Sequence, residues 1–296
     1  MDLNHPLIQS VLLPLLLAFA LTAVVRGALG NLWGPRLASL AIGGALWLVT
    51  VLILGLSLPP HSALQKLPFL LMGSLLLGFA LDRWPSGRGL PVLMALLWPL
   101  LVFLWLAANW MLVPRPGVLL AVGFLYGYAL LVFWRLDRVR RRTDMAGAML
   151  FGAALGLGGV ALVSASLALG QLAFALATAV GGFMLWNWPK ARDEFGLVGV
   201  FGAGGAWLIL LGLVLLLTDA PPMALALLGL VFFADALSER LPPRGGSLGR
   251  VLRPVYLVVI AVIPIVLALF ISTLGGEDED SPYYSLRSPE WLNRPG

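Results

Sequence analysis

The sequence predicts an all-α membrane protein: a polytopic bundle of about ten transmembrane helices with the N-terminus and the C-terminus both outside. Three observations carry this. The 296 residues are 60% hydrophobic and only 11% charged, whereas a soluble domain is about 25% charged. The apolar residues fall into ten runs of about 20 residues, the length that crosses a bilayer core as a helix. The basic residues gather on alternate connecting loops. Runs this long and uniformly apolar do not suit barrel strands, and backbone in lipid must satisfy its own hydrogen bonds.

The expected spans are 6–25, 36–57, 67–81, 90–112, 117–134, 145–167, 171–186, 196–217, 221–237 and 251–272. The first follows five residues that contain Asp2 and no Lys or Arg. A secretory signal begins with positive charge, so this run reads as a retained helix with its N-terminus outside. The third and ninth are short, and the third can extend back to Ala63. The first, fourth and tenth carry the mid-span prolines Pro14, Pro99 and Pro264, which are expected to kink them and to bound a cavity. The sixth to eighth form a block of small residues: Ala148, Gly152 and Gly156; Ala173, Ala177 and Gly181; Gly202 and Ala206. Small residues four apart line one stripe and let helices approach closely.

Charge sets the orientation. Loops one, three, five, seven and nine carry Arg26, Arg36, Arg83, Arg88, Arg135, Arg138, Arg140, Arg141, Arg142, Lys190, Arg192, Arg240, Arg244, Arg250 and Arg253. The other side keeps only Lys66, Arg115, Arg287 and Arg294. The first set is therefore expected in the cytoplasm, in a bacterial cytoplasmic-type cell membrane. The net charge of +5 then follows from topology, and no nucleic-acid partner is implied. The cluster from Arg135 to Arg142 can also meet anionic head groups. Short loops leave no room for a soluble domain. Residues 1–274 read as one ten-helix transmembrane domain, and 275–296 as an acidic, aromatic extracytoplasmic tail. That tail holds Glu277, Asp278, Glu279 and Asp280, then Tyr283, Tyr284 and Trp291, and is the expected contact for a membrane partner.

Two loops share the pattern W-P-x-x-R, at Trp84 to Arg88 and at Trp188 to Arg192. Tryptophan at the interface, proline at a helix start and arginine inside explain the likeness as well as a four-helix duplication does.

The interior lacks the usual chemistry. There is no cysteine, so disulfides, iron–sulfur clusters and thiol catalysis are excluded. His5 and His61 lie outside the spans, which removes haem ligation and a Ser–His–Asp arrangement from the bilayer and makes a poor metal site. Lys66 and Lys190 read as loop residues, so no retinal-type Schiff base is available. No phosphate-binding glycine loop opens a helix. An enzyme, a cofactor and a metal are thus not expected.

Two sets of residues remain. Ser74, Tyr126, Tyr128 and Thr178 fall at mid-depth, where carriers bind, and are the candidate substrate cavity. Trp47, Trp98, Trp105 and Trp207 also fall well inside their spans. Asp235 lies about one turn from the cytoplasmic end of the ninth run and needs a basic partner, Arg253 or Arg135, as an ion pair or a coupling site. The leading expectation is a permease or flippase-like carrier for a neutral, amphipathic or lipid-like substrate. The alternative is a non-catalytic integral subunit or scaffold of a larger membrane complex. A cavity lined by the four mid-depth residues separates the two.

Overall fold

A computed structural model of the protein describes residues 7–84, 87, 89–111, 116–189, 191–238 and 247–274; of 109–111, 116, 237, 238 and 247–255 it describes the backbone alone. No strand occurs among the described residues. The helices are α1 (Ile8–Leu37), α2 (Leu40–Leu54), α3 (Ala63–Arg83), α4 (Gly89–Met111) and α5 (Pro116–Val139). They continue with α6 (Thr143–Val163), α7 (Leu167–Trp186), α8 (Gly196–Leu217), α9 (Pro222–Ala236) and α10 (Ser247–Leu274). Eight contain a stretch long and apolar enough to cross a bilayer, and α2 and α9 are shorter apolar helices. The chain is a multi-pass integral membrane protein. The 15 residues of α2 rise only about 22 Å, less than a hydrocarbon core of about 30 Å.

The helices coincide with the ten apolar runs and depart from them at the ends. Helix α1 runs on through what reads as the first loop, because its glycines build a helical reversal. Gly30 has φ 65° and ψ −168°, a conformation open to glycine. The chain then folds back, so that a Cβ on Gly34 would lie 3.0 Å from both Cα and O of Arg26. Helix α3 starts at Ala63 because Ser62 and Gln65 form a capping box, with Ser62 Oγ accepting from the Gln65 N–H and Gln65 Oε1 accepting from the Ser62 N–H, each at 3.2 Å. Lys66, read as a loop residue, therefore sits in the first turn of α3. It is 4% exposed and its ammonium donates to the Trp105 carbonyl at 2.9 Å. Helices α4 and α10 run unbroken through Pro99 and Pro264.

The small-residue block is the core. Of the most apolar stretch of α8, 83% is buried within the protein, with 72% for α6 and 61% for α7, against 22% for α1 and α10. On α6, a Cβ at Gly152, Gly156 or Gly159 would meet Ala261, Ile265 or Leu269 of α10 within 3.2 Å. Those partners are themselves four residues apart. The other face of α6 receives Met184 at Gly147 and Phe174 at Gly158, both from α7. Without a hydrophobic drive between helices in lipid, this close approach supplies the packing energy.

Two adjacent glycines of α7 test that packing. A Cβ on Gly182 would collide with the Leu15 carbonyl oxygen of α1, whereas one on Gly181 would sit 3.5 Å from the Phe151 ring. Gly182→Ala is expected to destabilise the protein by about 1–3 kcal/mol. Gly181→Ala is expected to be neutral or to stabilise by up to about 1 kcal/mol through helix propensity. Equal unfolding midpoints in denaturing detergent would contradict the α1–α7 contact.

Candidate functional site

The four mid-depth residues do not share one space. Ser74 of α3 is fully buried and its Oγ accepts from Trp98 Nε1 of α4 at 2.9 Å. The same hydroxyl would lie 3.2 Å from a Cβ on Gly205 of α8, so Ser74 packs into a notch that only glycine leaves. Tyr128 of α5 donates to the Leu225 carbonyl of α9 at 3.0 Å. That carbonyl is free because α9 tightens there into a 3-10 turn: the Gly229 N–H reaches Ala226 O rather than Leu225 O. A Cβ on Gly229 would meet the tyrosine hydroxyl at 2.8 Å. Thr178 of α7 lies elsewhere, against α1. Its Oγ1 is 3.1 Å from the Ser10 carbonyl and also within 3.2 Å of the Phe174 and Ala175 carbonyls of its own helix. Pro14 has no N–H to offer the carbonyl four residues before it, which is that of Ser10. Tyr126 is half-buried on α5. Ser74, Tyr128 and Thr178 thus close three different helix junctions.

Around Tyr128 lies an aromatic cluster. Its ring stacks on Trp207 at 6.0 Å and meets Phe124 at 5.6 Å, and Trp207 meets Phe232 edge-on at 5.0 Å. Trp207 is fully buried, and its indole N–H has no hydrogen-bond partner. It follows a π-helical stretch, Gly199–Gly204. Such widened turns recur at functional sites.

Of the two partners expected for Asp235, Arg135 is the one found. Its guanidinium pairs with the Asp235 carboxylate, and its Nε donates to the Phe232 carbonyl at 3.0 Å. Cζ also lies 4.6 Å from the Phe233 ring centroid. Both charged residues are 7% exposed. The Arg253 side chain lies outside the described ones.

At the basic end of the bundle the structure builds a polar hub that the loop reading missed. The segment between α7 and α8 folds around Asn187, whose Oδ1 accepts from the N–H groups of Arg192 at 2.9 Å and Asp193 at 2.8 Å. Asp193 pairs with Arg26 of α1 at 2.9 Å. Thr143 of α6 donates to the Asp193 carbonyl and accepts from the Phe195 N–H, and Ser39 donates to the Phe195 carbonyl. Asp82, at the end of α3, accepts from the Val198 N–H in the first turn of α8 at 2.8 Å, a favourable place for a carboxylate. Gly196 has φ 59°, and a Cβ there would lie 2.6 Å from that carboxylate. Loops one, three, five and seven therefore meet at one end, as the alternation of charge requires. Burial pushes the Asp193 carboxyl above its ordinary value, and Arg26 pulls part of that back. Ionising a group with a raised folded pKa costs stability, so its contribution is greatest at acid pH and is lost as pH rises through the folded value. The signal in the sequence was five polar residues, Asn187, Lys190, Arg192, Asp193 and Glu194, crowded into one loop. The side chains of Asn187 and Asp193 turn inward, where Asn187 satisfies the loop's own backbone, while Arg192 and Glu194 stay exposed.

The tail 275–296 and residues 85, 86 and 88 of the first W-P-x-x-R copy lie outside the described residues. His5 does too, and His61 is exposed. Among the described residues, no three His, Asp or Glu side chains converge as metal ligands do. The fold defines the class, a multi-pass α-helical membrane protein. No protein-family model matches the chain, and no curated protein is similar to it.

Removing one partner of a buried pair leaves an uncompensated charge. Asp235→Asn is expected to cost about 3–5 kcal/mol, and Tyr128→Phe about 1 kcal/mol, in unfolding measured in detergent. Asp235→Asn at wild-type stability would show that the pair does not hold α5 to α9.

Proposed function

We propose that the protein is a non-catalytic integral subunit that organises a larger assembly in a bacterial cytoplasmic-type membrane, with both termini outside and the arginine-rich loops inside. One observation carries this reading. Three of the four polar side chains that a carrier would offer to a substrate, Ser74, Tyr128 and Thr178, are engaged by the protein itself, at separate junctions. Buried polar groups that satisfy one another fix a single packing and leave few donors for a guest. The tail at 275–296, with its acidic run and its three aromatic residues, supplies a contact for a membrane partner on the outer side.

A second reading keeps the carrier for a neutral, amphipathic or lipid-like substrate. It is favoured by the π-wound stretch in the most buried helix and by the unpartnered N–H of Trp207 beside Tyr128. An orphaned buried donor costs about 1–3 kcal/mol, which an acceptor on a substrate would offset.

The chain has no cysteine, so single cysteines report access directly. Ser74→Cys and Thr178→Cys are to be reacted with a membrane-impermeant maleimide in right-side-out and inverted vesicles. Arg141→Cys and Ser285→Cys serve as markers. A subunit of fixed packing leaves Ser74→Cys and Thr178→Cys unlabelled from both sides, while the markers label from inside and outside respectively. Labelling of either mid-depth cysteine in folded protein overturns the subunit reading in favour of the carrier. Labelling of Ser285→Cys from inside overturns the orientation.

A further inference from the structure

Three basic residues at the loop-rich end are paired with carboxylates. Arg26 pairs with Asp193, Arg135 with Asp235, and Arg140 with Asp137. Arg36 and Arg83 are different. They come from separate helices, α1 and α3, and converge on one indole. Cζ of Arg83 lies 4.5 Å and Cζ of Arg36 5.7 Å from the Trp33 ring centroid, so the two cations are within about 10 Å of each other. Both side chains are exposed, and neither pairs with a carboxylate among the described residues. The acidic neighbour of Arg83, Asp82, is turned inward to the Val198 N–H. Two like charges held on one ring repel, and an anion between them relieves the repulsion. Guanidinium groups suit phosphate oxygens because they donate in pairs.

The surroundings select the kind of phosphate. Tryptophan favours the depth where head groups meet chains. Leu32, one turn before Arg36, is 81% exposed, and Trp84, next to Arg83, is 65% exposed. This apolar surface beside the cations suits acyl chains. A choline or ethanolamine head group would bring a third cation to the site, whereas a glycerol head group brings none. The Gly30 reversal places Trp33 and Arg36 beyond the end of the first span, and the capped α3 ends at Arg83. The site is thus made by the fold, from the reversal of one helix and the terminus of another.

We propose that Trp33, Arg36 and Arg83 bind the phosphate of one anionic phospholipid in the leaflet on the arginine-rich side, with Leu32 and Trp84 against its acyl chains. The purified full chain in mild detergent is to be titrated with phosphatidylglycerol, phosphatidylcholine or inorganic phosphate. Bound lipid is read by native mass spectrometry and stability by thermal unfolding. Phosphatidylglycerol should be retained and raise the unfolding midpoint, and the other two should not. Arg36→Gln with Arg83→Gln should weaken retention by about tenfold or more. Arg240→Gln with Arg244→Gln, an equal loss of charge, should leave retention within a factor of about two, because a single site is at stake. Where the Gln pair does not fold, Arg36→Lys with Arg83→Lys decides, since it keeps the charge that sets topology and removes the planar stack on Trp33. It should weaken retention measurably. Retention unchanged in the Lys pair or the Gln pair, equal loss in the Arg240 and Arg244 control, or equal stabilisation by inorganic phosphate overturns the proposal.

Discussion

A carbonyl oxygen freed inside hydrocarbon has no water to turn to, so each irregularity in a membrane helix must be closed by a neighbour. This constraint organises the bundle. Pro14 of α1 has no N–H for the Ser10 carbonyl four residues before it, and Thr178 Oγ1 of α7 lies 3.1 Å from that carbonyl. The 3-10 turn at Gly229 frees the Leu225 carbonyl of α9, and Tyr128 of α5 donates to it. Arg135 donates to the Phe232 carbonyl two turns further on and balances its charge with Asp235. The junctions α1–α7 and α5–α9 are thus each tied where one helix departs from ideal geometry.

The basic end obeys the same constraint at the water boundary. The segment between α7 and α8 is short and enters the most buried helix directly. Its N–H groups are taken by Asn187, Thr143 and Asp82, and its carbonyls by Thr143 and Ser39. Glycine at 196 allows both the left-handed turn and the approach of Asp82. Helix α8 therefore begins at a fixed point made from four other helices, α1, α3, α6 and α7. Its glycines then accept Leu75, Leu136 and Phe103 from the helices around it.

The apolar runs were legible because length and hydropathy in lipid are decided locally, and α8 matches its expected limits of 196 and 217. The ends were less legible. A glycine-rich stretch around Gly30 reads as a loop, yet helix on both sides of one left-handed glycine uses the same residues. The S-x-x-Q pattern from Ser62 to Gln65 was a start signal, and it moves Lys66 from loop to helix. Ser74, Tyr128 and Thr178 stood out in the sequence as polar residues inside apolar runs, and each meets a neighbouring helix. What a sequence cannot show is which carbonyl has lost its donor, because that depends on the winding of a different helix. The small-residue stripes were legible as close packing, and their partners, Ala261, Ile265 and Leu269, carry the matching four-residue period.

A double-mutant cycle between Pro14 and Thr178 tests this account most directly. Thr178→Val alone takes the hydroxyl away from the Ser10 carbonyl and should destabilise by about 1–2 kcal/mol. Pro14→Ala restores an N–H four residues after Ser10. In that background, Thr178→Val should cost less, with a coupling of about 1 kcal/mol. Costs for Thr178→Val that are the same with proline and with alanine at position 14 would contradict the claim that the side chain serves the carbonyl for which Pro14 has no N–H.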